Sequence, residues 1–194
     1  GVNAIRTSHN APAPELLVLC DRMGLLVQDE SFDMWERRKS PYDSARYFAE
    51  WPERDLTDEI LRDRNHASVF MWSIGNEVLE QWSHADATEL DLQAANLILN
   101  AGHAIDPALL KDTTHSRQSL ITRHLAAIVK RLDTSRVVTA GCNEVNPANH
   151  LFRSDALDVL GFNYHERYFE PFFRNFPGKK LIVSESTSAL MTRG

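Results

Sequence analysis

Six short runs of apolar and β-branched residues recur along the chain, each bounded by polar or turn-forming residues. They cover residues 3–7, 24–30, 68–77, 136–141, 157–164 and 180–185. Most of these runs are almost continuously apolar and do not alternate with polar residues, which is typical of strands that are covered on both faces. The pattern therefore predicts six strands of a buried sheet.

Between these runs, apolar residues repeat with the spacing of amphipathic helices. The predicted helices cover residues 14–24, 55–65, 87–102 and 119–133. The first ends at Gly24, the glycine expected just past a helix end. Strands that alternate with helices predict a parallel sheet with crossover helices. No Gly-rich phosphate loop follows the first strand, which counts against a nucleotide-binding doubly wound sheet.

Polar residues gather at the carboxyl-terminal ends of the six runs. They are Arg6, Ser8, His9 and Asn10; Asp29 and Glu30; Asn76 and Glu77; Asn143 and Glu144; Asn163, Tyr164 and His165; and Ser184 and Glu185. In a (β/α)8 barrel these strand ends form the face that carries the chemistry. Six strands are two fewer than a barrel needs, and such domains typically run to about 250 residues. The chain is therefore predicted to be an α/β protein that holds an incomplete (β/α)8 TIM barrel.

The overall charge is acidic, with 27 Asp and Glu against 21 Lys and Arg and a formal net charge of -6. The basic residues form no stripe that could follow phosphates, so nucleic acid is not an expected partner. No apolar run approaches the roughly 20 residues of a membrane span, so we expect a soluble protein with no membrane partner. Its compartment stays open between cytoplasmic, periplasmic and secreted. Cys20 and Cys142 lack the spacing of a zinc site or a disulfide framework and are predicted to be buried.

Four segments of the sequence carry a resemblance to a known family. They read NAIRTSHNAPAPELLVLCDRMGLLVQDESFDMW, RDRNHASVFMWSIGNEV, DVLGFNYH and LIVSESTSAL. Together and in this order they resemble glycoside hydrolase family 2, the β-galactosidase and β-glucuronidase family. The resemblance implies that residues 1–194 form part of the catalytic barrel, from its second strand through its seventh. It also implies that the first and eighth strands and the flanking β-sandwich domains lie outside this chain.

The resemblance implies a catalytic pair of carboxylates, Glu77 and Glu185. Each closes an apolar strand, so both side chains can converge over the mouth of one barrel. By resemblance Glu77 is the general acid/base, and Glu185 is the nucleophile of a reaction that retains the configuration of the sugar. A proton donor needs a raised pKa whereas a nucleophile must stay ionised, and different surroundings can separate two carboxyl groups in this way.

Further residues are implied by the same resemblance. Asn76 is expected to bind the sugar 2-hydroxyl, Tyr164 to donate a hydrogen bond to the nucleophile, and His9 to bind substrate. Asp29 and Glu30 match an Asp-Glu pair of the family, for which sugar contact and a structural role at the barrel rim are both open.

A metal-dependent hydrolase on the same barrel is a weaker alternative, because the eight histidines form no pair with the spacing of zinc ligands. The resemblance requires no cofactor. Some members of the family bind Mg²⁺ or Na⁺ near the acid/base, but the ligands of such an ion are not recognisable here.

Trp72 is predicted to lie in the core, and stacking on a sugar is left open for Trp35, Trp51 and Trp82.

The leading functional prediction is a retaining β-glycosidase that cleaves terminal β-D-galactosides. A β-glucuronidase of the same family is the alternative. An Asn-x-Lys element that binds the sugar carboxylate would distinguish it from a β-galactosidase, and in relatives this element lies beyond Gly194. A non-catalytic carbohydrate-binding or scaffold piece is the alternative from another class. A barrel that lacks two strands exposes two sheet edges. We therefore expect the isolated chain to pair with another copy and to turn over substrate weakly or not at all.

Overall fold

The computed structural model describes residues 1–82 and 116–186 of the chain. These residues contain six strands: β1 (Ala4–Arg6), β2 (Leu26–Glu30), β3 (Val69–Asn76), β4 (Val137–Cys142), β5 (Val159–Asn163) and β6 (Lys180–Glu185). All six predicted strands are therefore confirmed, with ends that differ by at most two residues. The helix predicted over residues 87–102 lies outside the described residues.

The six strands form one parallel sheet, and their order in the sheet is their order in the chain. Each strand pairs with its sequence neighbour. This arrangement is that of consecutive units of a (β/α)8 barrel. It differs from a doubly wound sheet, in which the strand order reverses partway along the sheet. The predicted fold class, an incomplete TIM barrel, is confirmed.

The described residues also contain five α-helices: α1 (Pro14–Met23), α2 (Pro52–Asp63), α3 (Arg117–Leu132), α4 (His150–Arg153) and α5 (Phe169–Asn175). The first three correspond to predicted helices and confirm them. The last two were not predicted, because 4 and 7 residues are too few to show a helical period. None of the helices in the described ranges has the length and apolar character that a membrane span requires.

Local sequence signals set the ends of the helices. α1 and α2 each have a proline in the first turn, where its fixed φ suits the helix and its missing N–H costs no hydrogen bond. α1 ends at Gly24, which takes a left-handed conformation with φ of 71°. α3 begins after Ser116, whose hydroxyl accepts a hydrogen bond from the backbone N–H of Ser119.

The core lies between the sheet and the helices. Each long helix contributes fully or almost fully buried apolar residues: Leu17 and Cys20 from α1, Leu56 and Ile60 from α2, and Leu125, Ile128 and Val129 from α3. Trp72 of β3 is buried as predicted, and its Nε1 donates a hydrogen bond of 2.9 Å to Asp133. Cys20 and Cys142 are buried free thiols, which confirms their predicted burial. The sheet is therefore a rigid base for the residues at its carboxyl-terminal edge.

Candidate active site

The carboxyl-terminal ends of the strands surround an open cavity of about 370 Å³. It is lined by His9, Asp33, Met34, Lys39, Ser40, Asn76, Glu77, Tyr164 and Glu185. The structure thus brings together five of the seven residues that the sequence suggested for the site. These five are His9, Asn76, Glu77, Tyr164 and Glu185.

Glu185, the last residue of β6, is surrounded by hydrogen-bond donors. The Tyr164 hydroxyl donates to its Oε2 at 2.5 Å, and Arg6 Nη1 donates to its Oε1 at 2.6 Å. Burial raises the pKa of this carboxyl group, but the hydrogen bonds from Tyr164 and Arg6 and the charge of Arg6 outweigh it. The net pKa therefore lies below its ordinary value, and Glu185 stays ionised.

Glu77 follows the end of β3, and its surroundings shift its carboxyl group in the opposite direction. Burial is the largest effect and raises its pKa, the hydrogen bond from Asn163 lowers it, and the charge of Glu185 raises it again. The net pKa is raised. A carboxyl group of this kind keeps its proton to higher pH than an ordinary one and can act as a proton donor. The two carboxyl groups of the cavity are therefore separated in pKa.

The backbone at Glu77 has an uncommon conformation. Its φ is 42°, in the left-handed region that residues with a Cβ rarely adopt. Its N–H donates a hydrogen bond of 2.7 Å to the carbonyl oxygen of Gly141 on β4. Conformations of this kind persist only where the surroundings impose them, and they cluster at functional sites.

Asn163, the last residue of β5, limits the separation of the two carboxyl groups. Its Nδ2 lies 3.1 Å from Glu77 Oε1 and 3.0 Å from Glu185 Oε1. Because both oxygens contact one nitrogen, they are no more than about 6 Å apart. Direct attack by one carboxylate goes with a separation of about 5 to 5.5 Å, whereas an intervening water requires about 6.5 to 9.5 Å. The geometry fits the shorter arrangement.

Arg6, the last residue of β1, connects four strands through one guanidinium group. It donates to Glu30 Oε2 from Nε at 2.9 Å and from Nη2 at 2.7 Å, to Asn76 Oδ1 at 2.7 Å, and to Glu185. A Cβ atom on Gly141 would lie 2.6 Å from Arg6 Nη2, so glycine at this position leaves room for the guanidinium group. Arg6 is therefore held in one orientation by its partners.

Glu30 lies beneath the cavity and does not line it. Its fully buried carboxylate accepts hydrogen bonds from Arg6, from His9 Nδ1 at 2.9 Å and from Ser73 Oγ at 2.7 Å. Of the two roles left open for Glu30, the structure supports the structural one, because this carboxylate orients Arg6 and His9. His9 itself lines the cavity, and its Nε2 lies 3.8 Å from Glu185 Oε1.

Asp29 points away from the cavity, and of the two roles left open for it the structure supports the structural one. Neighbouring residues of a strand face opposite sides of the sheet, so Asp29 faces α2 when Glu30 faces the site. There its carboxyl group lies with those of Glu59 and Asp63, with one oxygen of each within 4.8 Å of the others. Arg62 donates two hydrogen bonds to Asp63. Asp29 thus has the structural role that was left open.

No cluster of three His, Cys, Asp or Glu side chains that could hold a metal ion lies at Glu77 in the described residues. Within residues 1–82 and 116–186, the one group of three possible metal ligands is the Asp29, Glu59 and Asp63 cluster on the helix side of the sheet. Near Glu77 the charge of Glu185 raises the pKa of that carboxyl group and the cation Lys39 lowers it. The Mg²⁺ or Na⁺ ion that some members of the family bind stays a prediction for the full-length protein.

The buried carboxyl cluster predicts a pH-dependent stability. Burial, followed by the charge of neighbouring carboxylates, raises the pKa of both Asp29 and Glu59. The folded protein therefore keeps protons that the unfolded chain releases above about pH 4. The free energy of unfolding should fall as the pH rises beyond that point, by up to about 1.4 kcal/mol for each unit of pKa difference. Urea unfolding of the full-length protein at a series of pH values measures this dependence.

Asp29→Asn is the informative variant for that dependence, because it removes one of the raised pKa values. Its unfolding free energy should vary less with pH than that of the wild type. Asp58→Asn is the control, since Asp58 lies on α2, the helix that carries Glu59 and Asp63, with its side chain 70% exposed. Equal pH dependence in the wild type and in Asp29→Asn would contradict the assignment.

The three tryptophans left open for sugar stacking do not line the cavity. Trp35 and Trp82 are buried, and Trp35 Nε1 donates a hydrogen bond of 2.8 Å to the carbonyl oxygen of Ile74. Trp51 is 41% exposed and lies outside the cavity. Trp35 is therefore a structural residue that holds the loop after β2 against β3.

Four residues of the site were not singled out from the sequence: Arg6, Asn163, Asp33 and Lys39. Arg6 and Asn163 belong to the polar strand ends, so the strand-end pattern contained a signal for them. Asp33 and Lys39 lie in the loop between β2 and α2, which has no period that could indicate where their side chains go.

The chain is similar to several known proteins. The sequence profile described as "Glycosyl hydrolases family 2, TIM barrel domain" matches residues 1–109. The β-galactosidase BoGH2A of Bacteroides ovatus is 62% identical over 194 residues, which are 100% of this chain and 23% of that protein. The β-glucuronidase of Canis lupus familiaris is 40% identical over 79 residues, which span 40% of this chain and 12% of that protein.

A similar solved structure is that of a glycosyl hydrolase family 2 member from Bacteroides cellulosilyticus. It aligns with a TM-score of 0.73 at 37% identity, over 96% of this chain and 20% of that one. The chain thus spans less than a quarter of the length of these relatives. The profile match covers more than half of the chain and includes β1, β2 and β3. The chain therefore belongs to glycoside hydrolase family 2 and holds part of the TIM-barrel domain of that family.

Proposed function

We propose that the protein containing this chain is a retaining β-glycosidase that cleaves terminal β-D-galactosides. The observation that carries the proposal is the contact of the Asn163 amide with both Glu77 and Glu185, which limits the separation of their oxygens to about 6 Å. That separation fits a double displacement, for which the two carboxyl groups lie about 5 to 5.5 Å apart. The 62% identity with the β-galactosidase BoGH2A supports the choice of sugar.

In the first step Glu185 attacks the anomeric carbon while the bond to the aglycone oxygen breaks. Glu77 gives its proton to that oxygen, so the aglycone leaves as a neutral alcohol and Glu185 becomes an ester of the sugar. The hydrogen bonds from Tyr164 and Arg6 keep Glu185 ionised before the attack. After the step, the negative charge of the pair resides on Glu77.

In the second step a water molecule attacks the anomeric carbon from the face that the aglycone left. Glu77 accepts a proton from this water, the bond to Glu185 breaks, and the sugar leaves with its original configuration. Asn76 Nδ2 donates one hydrogen bond to Asp33 Oδ1 at 3.0 Å. Its second N–H is the donor we assign to the sugar 2-hydroxyl, a contact that strengthens in the transition state. The two steps use only side chains of this chain, so the proposal requires no cofactor.

A β-glucuronide is the alternative substrate, because the β-glucuronidase of Canis lupus familiaris is also similar to this chain. Both sugars use the same pair of carboxylates, so the alternative changes the recognition of the sugar and leaves the roles of Glu77 and Glu185 unchanged. Matched galactoside and glucuronide probes separate the two.

The test is covalent labelling of the full-length protein with 2-deoxy-2-fluoro-β-D-galactosides that carry a good leaving group. Fluorine at C2 slows hydrolysis of the ester, so the intermediate accumulates. Intact mass and peptide mapping should place one adduct on Glu185. Proton NMR during hydrolysis of an aryl galactoside should show the β-anomer of the sugar first.

Other outcomes of these measurements would change the proposal in defined ways. Labelling by the matching fluoro-glucuronide and not by the galactoside would move the activity to the alternative substrate. The α-anomer as first product would exclude a retaining reaction, and an adduct on another residue would exclude Glu185 as the nucleophile.

Arg6→Met is expected to shift the acidic limb of the pH profile of kcat/KM. That limb reports the pKa of the group that must be ionised in the free enzyme, here Glu185. Burial raises the pKa of Glu185 and Arg6 helps to lower it, so removal of the guanidinium group should move the limb to higher pH. Rates on an aryl galactoside between pH 4 and about pH 9 measure the shift. Arg22→Met, at an exposed position of α1, is the control, and an unmoved limb in Arg6→Met would contradict the assignment.

A further inference from the structure

Lys39 lies at the wall of the cavity, and its side chain is only 7% exposed. Its ammonium group donates to Asp33 Oδ1 at 2.7 Å and to the backbone carbonyl oxygen of Asn76 at 2.7 Å. Asp33 Oδ1 accepts a second hydrogen bond, from Asn76 Nδ2 at 3.0 Å. Lys39 and Asp33, which we call the loop pair because both lie between β2 and α2, therefore hold Asn76 by its backbone and by its side chain.

The carbonyl group that Lys39 contacts belongs to the peptide unit between Asn76 and Glu77. The N–H of the same peptide unit donates to the carbonyl oxygen of Gly141 at 2.7 Å. Both polar atoms of the peptide are thus fixed, one by a side chain and the other by the neighbouring strand. The residue that follows has a φ of 42°, which its surroundings must impose. Lys39 is thus one of the two hydrogen-bond partners that hold this peptide.

The charge of Lys39 also acts on the acid/base. Burial and the charge of Glu185 raise the pKa of Glu77, and the ammonium group of Lys39 works against both. A proton donor whose pKa lies far above the working pH transfers its proton less readily. Lys39 therefore affects both the position and the pKa of Glu77.

We propose that Lys39, held by Asp33, is a positioning residue for the acid/base Glu77. The proposal rests on the proposed function, because it assigns a role within that reaction. Lys39 acts through the Asn76–Glu77 peptide and does not touch the leaving oxygen. Without it, the peptide can turn and carry the carboxyl group of Glu77 away from that oxygen. Proton transfer should then suffer more than the attack by Glu185.

The test compares Lys39→Met with the wild type in the full-length protein on two substrates. Phenyl β-galactoside needs protonation of its leaving group, whereas 2,4-dinitrophenyl β-galactoside does not. Lys130→Met is the matched control. Lys130 also pairs with an aspartate, Asp158 at 2.8 Å, and donates to a backbone carbonyl, that of Ala156 at 3.0 Å, but outside the cavity.

For Lys39→Met we expect kcat/KM on the phenyl substrate to fall about 10²-fold, the usual cost of a small displacement of a catalytic group. On the dinitrophenyl substrate the fall should stay below about threefold. The basic limb of the pH profile should move to higher pH, because a charge that lowers the pKa of Glu77 is gone. Lys39→Arg keeps a positive charge, so its basic limb should stay near that of the wild type. Lys130→Met should match the wild type on all three measures.

An equal loss on both substrates with an unmoved basic limb would overturn the proposal, because a merely structural residue behaves in that way. Unchanged rates in folded Lys39→Met would also overturn it. If Lys39→Met fails to fold, Asp33→Asn is the variant that tests the proposal, because it removes the carboxylate that pairs with the ammonium group of Lys39. It should lower kcat/KM on the phenyl substrate more than on the dinitrophenyl substrate. A wild type that hydrolyses neither substrate and takes no label from fluoro-sugars would instead reject the proposed function.

Discussion

Replacement of Glu185 by glutamine is expected to lower kcat/KM by at least about 10⁴-fold on every substrate. The amide keeps the size of the side chain, but it cannot form the ester that the first step requires. The loss should be similar for good and poor leaving groups, because both need the nucleophile. Initial rates on a series of aryl galactosides measure the effect, and circular dichroism reports whether the variant is folded.

Glu144→Gln is the matched control for that experiment. Glu144 is a buried carboxyl group that follows strand β4 of the same sheet, and burial raises its pKa to about 7. It does not line the cavity, so its replacement should leave rates near those of the wild type. Turnover by Glu185→Gln at the rate of the wild type would exclude Glu185 as the nucleophile.

Replacement of Glu77 by alanine should separate substrates by their leaving groups. Poor leaving groups, such as the glucose of lactose, need the proton of Glu77, and we expect their kcat/KM to fall about 10²- to 10⁴-fold. Dinitrophenolate leaves without a proton, so the first step of that substrate should change little. The second step still lacks its base, so the ester intermediate should accumulate and kcat should be low.

Azide tests the role of Glu77 as the general base of the second step. It attacks the ester without a general base, so it should raise kcat of Glu77→Ala on dinitrophenyl galactoside and yield the β-galactosyl azide. It should have no such effect on the wild type or on Glu166→Ala, a control at an exposed residue outside the cavity. If Glu77→Ala hydrolyses lactose as fast as the wild type, another group is the acid.

The sheet and much of the site could be predicted from the sequence because each strand combines an apolar run with a polar end. Strands covered on both faces leave few other arrangements for such runs. Glu77 and Glu185 end two of these strands, and the parallel direction of the sheet brings both ends to one edge. Asn76 and Tyr164 follow the same rule. The predicted lining of the cavity by these four residues agrees with the structure.

The sequence pattern is uninformative where sequence neighbours separate in space or distant residues meet. Asp29 and Glu30 are adjacent, so a motif reports them as a pair, but the alternation of the strand places them on opposite faces. Lys39 reaches Asn76 across 37 positions from a loop, and nothing in a linear pattern records that contact. Hydrophobic periodicity predicts which face is buried, but it does not predict which polar side chains bond to one another.

The contact between Arg6 and Glu185 has a consequence for the order of folding. These residues belong to the first and last strands of the six, which in a flat sheet would stand about 24 Å apart, yet their side chains bond at 2.6 Å across 179 positions of sequence. The sheet must therefore curl before the contact can form, and contacts of such long range form slowly. During synthesis the first strand emerges long before the last. Glu185, the nucleophile of the proposed reaction, therefore acquires its cationic partner only after the sheet has curled.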